Sequence, residues 1–422
     1  MNIKKSETNN AVITRLHNVR KHPNADRIKL ATVLGTQVIV DLNAKENDLV
    51  IYFDSNLRLS HDYLHYNNLY SNTELNANIT KKGYFGKNGR VRAQRFRGEV
   101  SNGYVAGLDS LTPIGIAKNK PELMGPLDIS SLKEGDEFTS IDGVEICSKY
   151  FVPRKGGTPG SRKGKKKLFT IVSNMFHTHW DTKQLMREKH QIPDNSIIYI
   201  EEKEHGTSGR TAKVLVRNNK PWWKFWEPKD EWKIFSGTRR VDSINNHISE
   251  IRKDIENKIA PHLRCGEEVY YEISGYDGGK PIQSNSSGDF AYGCRPGEYR
   301  AMLYRVTITT PDGFCFDLSR PEVYRRAEEL GLEKPYLLFR TSWNDTDPTE
   351  RGYPVLGASS EEITELCQGK SYIDNKTLLE GVVVWFQSRY GSWTCLKHKS
   401  EEFLMAEDRN YEKGKTDVED EL

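Results

Sequence analysis

The sequence has no run of eighteen apolar residues, so it predicts no membrane-spanning helix. Lys4 and Lys5 are not followed by an apolar stretch, so no secretory signal is expected and a cytoplasmic location is. The six cysteines, at 147, 265, 294, 315, 367 and 395, include no Cys-x-x-Cys pair. That argues against a structural zinc site and for reduced, mostly buried thiols. A strong imbalance of charge is also missing. Lys and Arg number 62 against 59 Asp and Glu, a net +3, so a nucleic-acid partner would have to be met by a local basic face. No internal repeat is found. What is present is length and core material: 422 residues, 36% of them hydrophobic, are enough for two or three domains of a globular protein.

A basic, glycine-rich stretch at 151–167 divides the chain. Gly, Pro and like charges cannot build a core there, so it reads as a linker, either a solvated tether or a phosphate-contacting arm. Residues 1–150 read as short strands at Ala11–Leu16, Ile28–Val33, Gln37–Asp41 and Leu49–Phe53, with a hairpin turn at Gly35-Thr36. On a strand through Gly89–Gly98, Arg90, Arg92 and Gln94 would share one face and Val91 and Ala93 the other. With Arg95 and Arg97 this is the best basic cluster of that half, suited to a nucleic-acid groove or to a solvated face. Many short strands with few helices fit a small OB-like barrel.

The second half, 168–406, mixes strands and helices. Strands are expected at Ser196–Glu201, Ala212–Arg217, Val269–Ile273, Leu303–Thr309, Gly381–Phe386 and Ser392–Lys397. Isoleucines at 244, 248, 251, 255 and 259 form one apolar stripe of a helix over 242–259. A second helix starts at Ser319, with Pro321 and Glu322 in its first turn, and stops at Gly331. A third starts near Ser359. Residues 407–422 read as a disordered tail. The fold class is therefore α+β: an N-terminal OB-like β-barrel domain, then a domain of antiparallel sheets with flanking helices.

Four segments carry candidate chemistry. Ile197–Lys203 is an apolar strand that delivers a lysine to its end, followed by His205 and a turn at Gly206. A lysine so placed is a nucleophile when neutral. Desolvation and neighbouring cations such as Arg210 would lower its pKa from about 10.4. Glu272 and Glu380 each interrupt a strand otherwise fit for burial, where an acid is costly unless it is paired or bound. Lys397 and Lys399 stand two apart at the end of the last strand, hence on one face. Two lysines near two strand-borne acids suit a triphosphate and a divalent metal.

In this order, Lys203-Glu-His-Gly206, Tyr271-Glu-Ile-Ser-Gly-Tyr276, Glu380-Gly-Val-Val-Val384 and Lys397-His-Lys399 resemble motifs I, III, IV and V of the covalent nucleotidyltransferases. That superfamily holds ATP-dependent DNA ligases, RNA ligases and mRNA capping enzymes. The Lys-x-His-Gly-Thr-Ser form of motif I is similar to that of RNA ligases that seal nicks in duplexes. The segment 176–185 and the OB-like N-terminal half resemble the Deinococcus-type subgroup. His22–Leu30 looks like the opening of OB-type tRNA-binding modules. Only 422 − 399 = 23 residues follow Lys399, too few for the C-terminal OB domain of DNA ligases and capping enzymes.

The resemblance implies an ATP-dependent RNA ligase using Mg2+ or Mn2+, acting as a monomer on RNA or an RNA-containing nicked duplex. It implies Lys203 as the nucleophile that takes AMP, and Glu272 on the AMP ribose. Glu380 would serve at the metal, and Lys397 and Lys399 on the α-phosphate. Tyr304 would stack on adenine, and Arg239 (or Arg240) would contact the ribose. Glu202 and Gly206 would help bind the nucleotide, and His205 would serve the later steps. The alternatives are a capping-type guanylyltransferase and a non-catalytic RNA-binding scaffold. The tryptophans of 221–228 suit base stacking, a packed hairpin tip or a partner patch. His177 and His179 lack a third spaced ligand, so a structural or substrate-side role is expected of them.

Overall fold

A computed structural model of the chain describes residues 2–6, 9–116, 129–150, 169–178, 181–218, 229–239, 249–344 and 360–412. The chain forms two compact units, Met1–Pro153 with Leu404–Glu412, and Arg154–Phe403 with Lys413–Leu422. The 151–167 stretch, the Trp-rich segment, His179, Arg240, Ile244 and Ile248 lie outside the described residues.

In the first unit, β1 (Ala11–Arg15) pairs with β5 (Leu49–Phe53). Their alternation explains why both read as near-continuous apolar runs. Ala11, Ile13, Ile51 and Phe53 enter one core, and Val12, Val50 and Tyr52 enter another. A second sheet joins β2 (His17–Lys21), β3 (Ile28–Val33) and β4 (Thr36–Asp41). Its hairpin loop is Leu34-Gly35, one residue earlier than expected. Both residues have positive φ, the geometry of a two-residue turn matched to strand twist. A third pairing joins β6 (Ala93–Phe96) to β7 (Glu99–Asn102). Then β8 (Tyr104–Gly107) and β9 (Glu137–Phe138) flank the first sheet, in order β8-β5-β1-β9. Among the described residues, these pairings close no barrel.

The expected arginine face is split. Val91 and Ala93 are buried as anticipated, but Arg90 is buried too, bound to Asp408. A buried guanidinium needs such a partner, so Arg90 is a structural residue. Arg95 and Arg97 remain exposed, at the β6–β7 hairpin.

The second unit holds two sheets. One has the path β10 (Phe169–Ile171), β13 (Thr207–Asn218), β15 (Glu267–Asp277), β16 (Tyr299–Thr309) and β17 (Cys315–Asp317), with β14 (Asp230–Gly237) also on β13. The other has the order β11 (Lys183–Gln184), β20 (Trp393–Lys399), β19 (Gly381–Gln387), β12 (Ile197–Lys203) and β18 (Leu337–Ser342). Helices α1 (Glu250–Ile259) and α2 (Arg320–Leu330) cover the first sheet. Ile255, Ile259, Val323, Ala327 and Leu330 pack on Val269, Tyr271, Leu303 and Val306. Burying a Leu or Ile there is worth roughly 1.5–3 kcal/mol.

Helix α2 starts and stops where expected. Ser319 and Glu322 form a reciprocal capping box, and Gly331 ends the helix in the left-handed conformation. The third helix, α3 (Ser360–Leu366), is also found. Residues 407–412, expected in a disordered tail, belong instead to helix α4 (Glu401–Glu412), where Phe403, Met405 and Ala406 are buried. Its short apolar stripe was masked in the sequence by surrounding charge. All six cysteines are free, but only Cys147, Cys367 and Cys395 are buried.

Candidate active site

Lys203 ends β12 in one sheet, and Thr207 begins β13 in the other, so residues 204–206 carry the chain between them. The link is tight because of Gly206. A Cβ there would stand 2.2 Å from the carbonyl oxygen of Ile273. Its N–H donates instead to Glu272 Oε1 at 2.9 Å. This is the physical content of the glycine in Lys203-x-x-Gly206: it lets a strand-borne carboxylate reach the turn behind the lysine.

Register places the cations. Lys203 pairs with Gly381 and Gly381 with Lys399, while Glu201 pairs with Val383 and Val383 with Lys397. Directly opposed residues share a face, so Lys203, Lys397 and Lys399 all project from one side. Gly381 lets the two strands approach closely here, since a Cβ would lie 2.0 Å from the His398 carbonyl oxygen.

Glu380 lies almost fully buried at the head of β19. Its Oε2 accepts from Lys203 Nζ at 2.9 Å and lies 3.5 Å from His205 Nδ1, and its Oε1 lies 3.5 Å from Lys399 Nζ. Burial pushes this carboxyl up, but Lys203, Lys399 and His205 outweigh burial and hold it well below the usual carboxylate range. His205 is wedged edge-on between Phe290 and Phe403, at centroid distances of 4.6 and 4.9 Å, and its backbone N–H donates to Tyr292 Oη at 2.6 Å.

One electrostatic expectation is corrected. Lys203 was expected to have a lowered pKa. Burial does lower it, but Glu380 and Glu272 raise it more, so it rests as an ammonium above its ordinary value. The depressed lysine is Lys397, pushed down to about 7 by burial and by Lys399, Lys203 and Arg239. Nor does Arg210 act on Lys203. It lies 3.6 Å from Glu268, stacks 4.1 Å from the Phe176 ring and donates to the His177 carbonyl.

The other expected residues fall as follows. Glu202 is buried, and its Oε2 accepts from the Tyr372 N–H at 2.8 Å. Its carboxyl also interacts with the Ser371 side chain, and burial pushes it above the usual carboxylate value. Arg239 pairs with Asp181. Tyr304 packs in a cluster with Tyr199, Val383 and Trp393, beside the row that carries Lys397. His177 is structural: its N–H donates to Glu268 and its ring meets Thr309.

Sequence reasoning missed a set of buried acids and their partners. Glu201 is held by Arg320, through bonds of 2.6–2.9 Å, and by Tyr324. Glu204 accepts from Ser274 at 3.0 Å and lies 3.3 Å from Arg300, with its carboxyl pushed up to about 7 by burial. Arg252 donates to Thr207 and to the Ser208 carbonyl, both at 2.8 Å, tying α1 to the start of β13. One signal was available: Arg320 falls on the stripe of Val323, Ala327 and Leu330, so its position on α2 is a core position.

A metal must be tested against these donors. No cluster of three His, Cys, Asp or Glu is found among the described residues. Glu380 supplies one carboxylate, which fits a hard divalent ion held mainly by water and substrate phosphates, and not one caged by protein.

No family model matches the chain, and no curated protein matches its sequence. Solved structures do match. This fold is shared with RNA ligase structures. A Naegleria gruberi RNA ligase with PPi aligns at a TM-score of 0.56 and 18% identity, over 93% of this chain and 97% of that chain. A mutant of that ligase without ligand gives 0.58 and 16%, over 94% and 98%. Another, with ATP and Mn, gives 0.54 and 15%, over 94% and 98%. At such identities the likeness is one of fold.

Proposed function

We propose that this chain is an ATP-dependent RNA ligase that works through a lysyl-AMP on Lys203. The observation that carries the reading is the charge arrangement at the strand ends. Lys203, Lys399 and His205 converge on the single carboxylate of Glu380, with Lys397 on the same face. Such an excess of cations suits an anion, and the fold that holds it is shared with ligases whose structures contain PPi, and ATP with Mn.

In this reading ATP enters with its α-phosphate toward Lys203. Glu202 helps hold the nucleotide, and Tyr304 and Arg239 face base and ribose. Lys203 passes a proton by way of its 2.9 Å partner Glu380 Oε2 to the departing pyrophosphate, its nitrogen attacks the α-phosphorus, and the bond to pyrophosphate breaks. Binding of the triphosphate recharges Lys397, which with Lys399 stabilises the charge that develops on the phosphoryl oxygens. A bound Mg2+ or Mn2+ would neutralise phosphate charge beside Glu380. A 5′-phosphate of the RNA then takes AMP from Lys203, and a 3′-OH displaces AMP to seal the chain. His205, held by Phe290, Phe403 and Tyr292, serves these later steps.

The finer parts of the proposal rest on resemblance and on the composition of the sequence. These are the Deinococcus-type subgroup, nicked duplexes with RNA on the 3′-OH side, a monomeric cytoplasmic enzyme, and a division into an N-terminal OB-like domain, a 151–167 linker and an adenylyltransferase domain over 168–406. Exposed Arg95 and Arg97 support nucleic-acid binding by the first unit. The test is sealing of a nicked duplex carrying RNA or DNA on each side of the nick, with ATP and metal. The proposal expects joining with RNA on the 3′-OH side. Joining of DNA alone, or protein labelling by GTP but not ATP, would sink it.

A further inference from the structure

A cavity of about 360 Å³ is lined by Tyr276, Asn285, Asp289, Phe290, Lys376 and Leu378 among others. We propose that this cavity binds one ribonucleoside of the RNA chain being joined. The proposal rests on the ligase reading and adds to it a place for the sugar and base beside the reacting phosphate.

Its size falls in the range of pockets that hold small organic ligands. Its charge argues for an uncharged part of the substrate. The lining carries two carboxylates, Asp289 and Asp374, against one ammonium, Lys376. A phosphate is repelled there and attracted to Lys203, Lys397 and Lys399. Phe290 lines the cavity and also meets the His205 ring at 4.6 Å, so one aromatic ring adjoins both the cavity and the lysine site.

The polar groups supply recognition. Asn285 Oδ1 already accepts from the Ser287 N–H at 2.8 Å, whereas its Nδ2 is buried without a hydrogen-bond partner. A base carbonyl or ring nitrogen would satisfy that donor. Asp289 Oδ2 accepts from the Tyr276 hydroxyl at 3.2 Å, and an ionised carboxylate has capacity for a further hydroxyl donor. The ribose 2′-OH is such a donor, and it is the group that separates RNA from DNA. Another part of the lining is fixed by Asp374, which caps its own turn by accepting from the Lys376 and Thr377 N–H groups at 2.9 Å and from the Thr377 hydroxyl at 2.6 Å.

The experiment compares wild type, Asp289→Ala and Asn285→Ala on one RNA break, made either all-ribose or with a single deoxyribose at each nucleotide flanking the break in turn. Lysyl-AMP formation with ATP alone is measured beside the KM for RNA in sealing. The cavity predicts that one deoxyribose position raises the wild-type KM by about tenfold, the value of one hydrogen bond. Asp289→Ala raises it similarly on all-ribose RNA and is indifferent to that deoxyribose, and adduct formation is unchanged. Asn285→Ala raises KM independently of the sugar. If both variants handle every substrate as wild type does, the subsite is refuted. It is also refuted if they lose adduct formation as fully as sealing, because the cavity would then be only a wall of the lysine site. If wild type forms no adduct with ATP, the ligase reading itself has failed, whereas an intact adduct with unaltered RNA binding by the variants refutes the subsite alone.

Discussion

The two sheets of the second unit treat buried charge in opposite ways. In the β13–β15–β16–β17 sheet, three acids each have a cation of their own, while Glu272 accepts from the Gly206 N–H. Glu267 holds Arg326 at 2.7 Å, Glu268 faces Arg210 at 3.6 Å, and Asp317 binds Arg305. In the β12–β19–β20 sheet, Lys203, Lys399 and His205 share Glu380, and Lys397 stands beside them close to neutrality. Closed pairs hold a fold together. A shared carboxylate under a row of lysines leaves positive charge for a ligand, which is why the second sheet is read as the reactive one. Within that sheet Glu201 and Arg320 form a closed pair, two residues from Lys203, so the same strand carries both arrangements.

The comparison can be broken most directly at Glu380. Replacing it with Gln leaves the three cations without their common anion. AMP transfer to Lys203 is then expected to fall by roughly a hundred- to a thousandfold, the scale of losing one preorganised electrostatic group. Adduct formation within a few-fold of wild type, in a single-turnover assay, would remove Glu380 from the mechanism.

A closed pair should fail differently. Arg320→Met strands Glu201 in the core and is expected to cost about 3–5 kcal/mol of stability, read as a lower denaturation midpoint. A change below about 1 kcal/mol would mean the pair is closed only weakly.

Lys397 gives the comparison a pH signature. Its folded pKa is lowered to about 7, below its unfolded value, so the folded state binds fewer protons than the unfolded state above pH 7. Its charge therefore penalises folding fully below about pH 7, and the penalty fades as pH rises toward the unfolded value. Lys397→Met should raise the melting temperature at pH 6 more than at pH 9 while abolishing AMP transfer. An equal shift at both pH values would contradict the assignment.

The smallest effect is expected in the first unit. Arg95→Ser with Arg97→Ser should weaken RNA binding modestly and flatten its salt dependence by up to about two units of slope, one for each phosphate that the arginines no longer neutralise. An unchanged slope would make these arginines a solvated face.

Much of this was legible in the sequence, and the limits have physical causes. Strands such as Ile28–Val33 and Leu49–Phe53 were readable because apolar alternation and short length define them. Helix α2 was readable at both ends because capping is local chemistry: Ser319, Glu322 and Gly331 each act within one turn. The site was readable as residue types at strand ends, and register then brought Lys203, Lys397 and Lys399 onto one face. What could not be read were the partners, because ion pairs such as Arg90 with Asp408 or Glu201 with Arg320 join distant positions and follow no local pattern. The resting charge of Lys203 was misjudged for the same reason: the sign of its shift depends on two acids brought in from other strands.

In the proposed reaction Lys203 carries AMP. Incubation of the full chain with ATP and Mg2+ or Mn2+, followed by peptide mapping, tests it directly. An acid-labile AMP adduct is expected on the peptide containing Lys203, absent from Lys203→Ala. An adduct that persists in Lys203→Ala, or none on the wild-type protein, would contradict it.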